Sequence, residues 1–152
     1  MSVTVDMNFD GFQKEFEREI SNLVWGSTKA FRDAITLLLT TTGKSSKKAP
    51  HNYSVAGQVP HNLSGDLGRS WKTTKPQREG NKYTSSVGTN VKYAAALEFG
   101  YNSGGKMSNF VQSVGLLPRP YIKKSIKKAT PRIRKLINVP AMVARAAARS
   151  GV

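Results

Sequence analysis

Apolar residues at Phe12, Phe16, Ile20, Leu23, Phe31, Ile35 and Leu38 recur every three or four positions, with Ser27 holding one place and Ala34 sharing another. That spacing predicts one long amphipathic helix over about 10–41. Early acids suit its positive end, and Gly43 is the predicted stop. At 1.5 Å per residue the helix would run roughly 45 Å. A small domain covers less than that, so part of the stripe is expected to face another subunit. The periodicity then lapses. "TTGKSSKKAPHNYSVAGQVPHNLSGDLG", residues 41–68, reads as an extended loop with a turn at Ser64-Gly65-Asp66, and a loop of this length is expected to be functional or partly disordered.

From Arg69 the pattern becomes β-prone. "GRSWKTTKP" and "KYTSSVGTNVKY" flank the turn-like "PQREGN" and predict a hairpin or meander over about 69–93, anchored by Trp71, Tyr83 and Val87. Gly88-Thr89-Asn90 is read as a second turn, after which Val91 and Tyr93 resume the sheet. A glycine-rich run from 100 opens another loop, to about 118. Pro120 is placed in the first turn of a last helix, with Ile122, Ile126, Ala129, Ile133 and Ile137 as its apolar stripe. Pro131 is expected to bend this helix, and Pro140 to end or kink it before an alanine-rich basic tail from about 139. The fold class that follows is α+β in a single domain over 1–152.

Composition narrows the chemistry. The 152 residues suffice for a hydrophobic core, and no cysteine is present for disulfides or thiolate metal sites. The N-terminus lacks the basic start and apolar run of a secretory signal, and no stretch approaches the ~18 apolar residues of a membrane helix, so no membrane partner is expected. His51 and His61, the only histidines, have no carboxylate spaced to complete a metal motif. Neither a GxGxxG nor a GxxxxGK[ST] phosphate loop occurs, and Ser64 and Ser70 have no base near in sequence. Catalysis, metals and cofactors are therefore not expected.

Charge is the strongest compositional signal: 24 Lys and Arg against 9 Asp and Glu, a formal +15. Residues 1–33 hold six acids and four bases, whereas 99–152 hold eleven bases and no acid. This polarity suits either nucleic acid or head-to-tail assembly on an acidic neighbour. Candidate contacts for DNA or an acidic partner are Lys44, Lys47 and Lys48 in the loop, and Lys123, Lys124, Lys127, Lys128, Arg132, Arg134 and Lys135 beside the last apolar stripe. No recognition helix, zinc finger or paired RNA-binding aromatics are evident, so such binding would be non-specific. A standalone nucleic-acid-binding protein is the alternative function.

Three spaced segments resemble one known pattern. "VPHNLSGDLGRSW" resembles the Pro-x-x-x-Gly-x-Leu-x-x-Ser segment of a family of small phage neck and tail-completion proteins, through Gly65, Leu67 and Ser70, with one extra residue after Pro60. "SSVGTNVKYAAALEFG" matches that family's Gly-Thr, Tyr-Ala and Glu-Phe-Gly block at Val87, Gly88, Thr89, Tyr93, Ala94, Glu98, Phe99 and Gly100. "RPYIKKSI" is similar to the Arg/Gln-Pro-Phe-Leu start of its last helix, at Arg119, Pro120, Tyr121 and Ile122. The resemblance covers about 10–138. The 41–59 loop, the "NSGGKMSNFVQSVG" insertion and the basic tail depart from it.

The resemblance implies a long N-terminal helix, a small antiparallel sheet and a C-terminal helix packed against it. It also implies a virion component of long-tailed bacteriophages, present in host cytoplasm during assembly. Such proteins form rings at the head-tail junction or proximal tail end. The implied partners are further copies in a ring, adjacent neck and tail proteins, and genomic DNA passing through the channel. Six copies would follow tail symmetry; twelve would suit the portal side. Glu98, the last acid in the chain, is expected either to pair with Arg119 or a neighbouring subunit, or to face water.

Overall fold

The computed structural model describes residues 9–42, 56–60, 65–100 and 117–151. Its axis is α1, Phe9–Thr41. The helix ends in a run of threonines, and Gly43, the expected stop, lies outside the described residues. Thr40, Thr41 and Thr42 turn their hydroxyls back onto the carbonyls of Thr36, Leu37 and Leu38, a second bond to acceptors of the last turns, and Leu38 also accepts from Thr42 N–H at 3.2 Å. A second helix of one turn, α2 (Asp66–Arg69), follows Gly65, whose φ of 80° gives the left-handed entry that a side chain would resist. The turn expected at Ser64-Gly65-Asp66 thus opens a helix.

The β region is a ribbon of two nested antiparallel ladders. β1 (Lys72–Thr73) pairs with β4 (Val87–Gly88), and inside them β2 (Gln77–Glu79) pairs with β3 (Lys82–Thr84). Pro76 interrupts the first arm, since proline cannot donate to a ladder. Thr74 and Ser86 bridge the interruption: Thr74 N–H donates to the Ser86 carbonyl at 3.0 Å, and Ser86 N–H donates to the Thr74 hydroxyl at 2.8 Å. The tip is narrower than "PQREGN", because Gln77, Arg78 and Glu79 form a strand and the loop is Gly80-Asn81. Trp71 and Val87 pack against the core as expected, and half-buried Tyr83 lies under the Arg78 guanidinium.

After β4 the chain departs from the expected sheet. Val91 lies outside any strand and Tyr93 sits at the start of a short helix, α3 (Ala94–Phe99). Two helices close the chain, α4 (Ile122–Leu136) and α5 (Val139–Ser150). Pro120 lies before α4 instead of in its first turn, and the helix continues through Pro131. The break falls at Ile137-Asn138. Asn138 caps α5 by accepting from Ala141 N–H at 3.1 Å, with Pro140 in the first turn, where a missing N–H costs nothing. What reads in sequence as a tail is therefore a packed helix.

Both C-terminal helices lie near the ribbon and pack mainly along α1, running back along its length. Arg132 approaches Asp33, a Cβ on Gly26 would come within 3.3 Å of Leu136, and Arg145 and Arg149 reach Glu19. Much of the α1 stripe is thus covered within the chain. Tyr121, Ser125 and Ala129, spaced by four, form the buried face of α4, with Ile122 and Ile133 half-buried beside them. Two members of the expected stripe fall outside: Ile126 is 51% and Ile137 54% exposed. Small side chains let two helix backbones approach, so the contact centres on serine and alanine while the bulky isoleucines flank it.

The main core lies at the C-terminal half of α1. Ile35, Leu38 and Leu39 meet Val59, Leu67, Ala94 and Tyr121, with Phe31, Trp71, Val91 and Leu97 packed around them. Each large apolar side chain so buried contributes about 1.5–3 kcal/mol.

Candidate functional site: a three-segment junction and a basic helix face

The three segments singled out in the sequence meet at this core. Leu67 is buried, and Gly68 lets α2 lie close on α1, where a Cβ would come within 3.2 Å of Thr40 and the Thr36 hydroxyl reaches the Gly68 carbonyl. The Ser70 hydroxyl hydrogen-bonds that of Thr89, joining the first segment to the second. The Trp71 ring meets Tyr121 edge-on at 6.0 Å between centroids, joining the first to the third.

Tyr121 is the wedge between them. It has no exposed surface, and its hydroxyl donates to the Ala94 carbonyl at 3.0 Å, in the first turn of α3. Burial first, then the nearby Glu98 and Tyr93, push its phenol above the ordinary tyrosine range, so the neutral, donating form is held.

Glu98, at the other end of α3, caps α4. Oε2 accepts from Tyr121 N–H at 2.7 Å and Ile122 N–H at 2.8 Å, and Oε1 accepts from Lys123 N–H at 3.3 Å. These are donors that the start of a helix leaves without partners, and a carboxylate also complements the positive helix end. Tyr121, in the N-cap position, makes no side-chain cap of its own. Glu98 is 8% exposed, so it does not face water. Nor does it pair with Arg119: the Arg119 backbone N–H donates to the Leu97 carbonyl at 2.7 Å, and its buried Nε finds no hydrogen-bond partner. Sequence reasoning found the right acid and the right helix but chose a side chain where the backbone supplies the donors.

The remaining assembly candidates divide between inside and outside. Gly100 ends α3 at φ 78°, and Pro120 is half-buried beside the cap. Tyr93 and Phe99 are 47% and 75% exposed at the two ends of α3. Consecutive residues of the Glu-Phe-Gly block therefore point opposite ways, the carboxylate into the domain and the phenyl ring out of it.

A second polar centre escaped sequence reasoning. Glu19, 5% exposed on α1, accepts from Arg145 Nε at 2.9 Å and Arg149 Nη1 at 2.5 Å on α5. Hydrogen bonding to Arg145 is the leading effect that holds its carboxyl below the usual range, with Arg149 adding to it against burial. Three other α1 acids are also used internally: Glu15 lies near Arg18 and Arg149, Glu17 pairs with Arg78, and Asp33 with Arg32, while Asp10 in the first turn is in no ion pair among the described residues. The acidic end expected to receive a neighbour's basic face is largely neutralised within the chain.

On α4, Lys124 donates to the Gly57 carbonyl and Arg132 stands 4.0 Å from Asp33. Lys123, Lys127, Lys128, Arg134 and Lys135 are exposed. Lys44, Lys47, Lys48, His51 and His61 lie outside the described residues, as do most of the two expected loops. Among the described residues no cluster of three His, Asp or Glu could hold a metal ion, and no helix is long and apolar enough to cross a membrane.

Fold and junction together define an α+β helix-and-ribbon domain, in which the buried carboxylate nearest the resembling segments is a helix cap. Comparison of the chain with protein-family models, with curated proteins and with solved structures finds no match.

Proposed function

We propose that the protein is a structural component of a phage virion, forming a ring at the head-tail junction or proximal tail end that joins or completes the tail around the DNA channel. The observation that carries this reading is the division of the Glu-Phe-Gly block: Glu98 locks α3 to α4, and the same helix presents Phe99 with three quarters of its surface exposed. An aromatic ring displayed on a fixed helix beside a rigid junction suits a subunit contact, where aromatic anchors supply much of the binding energy. Subunits pack side by side through this edge, and adjacent neck and tail proteins contact the ring's two faces. Six subunits follow the tail symmetry of the resembling family, and twelve would suit the portal side. The carboxylates Glu98 at the junction and Glu15, Glu17, Glu19 and Asp33 on α1 serve capping and pairing within the subunit.

The test is Phe99→Asp. Because Phe99 packs so little of its surface, the variant is expected to keep the wild-type melting temperature while its assembly, followed by native mass spectrometry, falls to monomer. A variant that assembles as the wild type does would remove Phe99 from the interface, and with it the observation on which the reading rests.

A further inference from the structure

The cations of this chain divide by type. Every ion pair among the described residues uses arginine: Arg18, Arg32, Arg69, Arg78, Arg132, Arg145 and Arg149 meet Glu15, Asp33, Asp66, Glu17 and Glu19. No described lysine takes part in one. The unspent positive charge is therefore mostly lysine, and it is dense on α4. At 100° per residue, Lys123, Arg134, Lys127, Lys124, Lys135 and Lys128 fill one continuous arc of about 140°, from the side away from the buried Tyr121-Ser125-Ala129 face round to its Tyr121 edge, with only Pro131 uncharged among them and Ile126 and Thr130 lying beyond Lys123.

We infer that this outer face of α4 is a docking surface for the phosphate backbone of duplex nucleic acid, read without regard to base sequence. The inference deepens the ring reading by assigning a partner to one surface. Three observations favour duplex over other occupants. First, a second copy of the chain lacks the acids: among described residues only Asp10 and Glu79 stand outside ion pairs and the buried cap. Second, the arc has no aromatic or large apolar anchor of the kind that protein interfaces depend on, and its charges are mainly lysine point charges, not the planar forks with which this chain meets carboxylates. Third, the dimensions agree. Lys123 to Lys135 spans about 18 Å of helix, and at one phosphate per 3.4 Å of duplex axis on each strand, a duplex carries about five phosphates per strand over that length. Lys123, Lys127, Lys128, Arg134 and Lys135 supply five cations that stand in no ion pair among the described residues.

The experiment is binding of a mixed-sequence duplex, by fluorescence anisotropy from 50 to 200 mM salt, at concentrations where light scattering reports monomer. Replacing Lys123, Lys127, Lys128 and Lys135 together by Gln should flatten the log-log salt slope by about 3.6 and shrink the affinity lost over that range roughly 150-fold. Replacing the same four by Arg should preserve the slope, which separates lost charge from a damaged helix. An unchanged slope in the Gln variant, absence of duplex binding at 50 mM salt, or equal competition by polyglutamate of matched charge would each overturn the assignment, the last in favour of an acidic protein. Rings that do not bind duplex would sink this inference alone, and duplex binding by a chain that never assembles would sink the ring reading alone.

Discussion

Replacing Glu98 by Gln tests the junction most sharply, because it keeps shape and removes charge. The amide oxygen can take the place of Oε2 and keep the two short bonds from Tyr121 and Ile122 N–H, but both become neutral, a loss of about 1 kcal/mol each. The amide NH2 then faces Lys123 N–H, donor against donor, and the negative charge at the start of α4 disappears, at about 0.5–1 kcal/mol. Together these give about 2–3 kcal/mol, or about 5–10 °C in Tm for a chain of this size. Thermal unfolding followed by circular dichroism reads it. A Glu98→Gln variant melting within 2 °C of wild type would refute the capping role. A double-mutant cycle with Arg119→Met separates the alternatives. Backbone capping predicts a coupling below about 0.5 kcal/mol, whereas a true Glu98-Arg119 pair would show strong non-additivity.

Other expectations follow from particular contacts. Glu19→Gln should loosen α5, raising amide exchange over Val139–Ser150 before the core responds, and a uniform change across the chain would contradict local docking. Because the folded pKa of Glu19 is depressed, its contribution is fully present above the ordinary value of about 4.3 and is lost as pH falls through the lower folded value. Acid should therefore release α5, and the Gln variant should lack this part of the pH dependence. Tyr121→Phe removes the bond to the Ala94 carbonyl and should cost about 1 kcal/mol by denaturant titration; no loss would mean the hydroxyl is not holding α3. Tyr121 has a raised folded pKa, so its share of stability is present below about 10 and is lost as pH rises above that value. Ser125→Ala should stabilise by about 1 kcal/mol, since the fully buried hydroxyl finds no partner and alanine favours the helix; destabilisation would show that the hydroxyl is satisfied.

The long helix was legible because its period persists over 33 residues, enough to outweigh polar interruptions. The start of α4 was legible from Arg119-Pro120-Tyr121. α3 was not: six residues are too few for propensity to declare a helix, and Val-Lys-Tyr before them favours a strand. The tertiary bonds from Glu98 and Tyr121 hold it, and their partners lie more than twenty residues away. The α4 face was read about one residue out of phase because Ser125, a polar residue, sits at its centre, where small size mattered more than apolarity. Glu19 gave no local signal, as Arg145 is 126 positions distant. The charge polarity was visible, but its use in pairing α1 to α5 required the helices to be placed.

The central claim is ring assembly through the Phe99 edge, and the most direct measurement is mass and particle shape, by light scattering with negative-stain imaging across micromolar concentrations without DNA. Closed rings of uniform subunit number, absent from Phe99→Asp, are the predicted result. A monomer at every concentration, with wild type and Phe99→Asp indistinguishable, would contradict it.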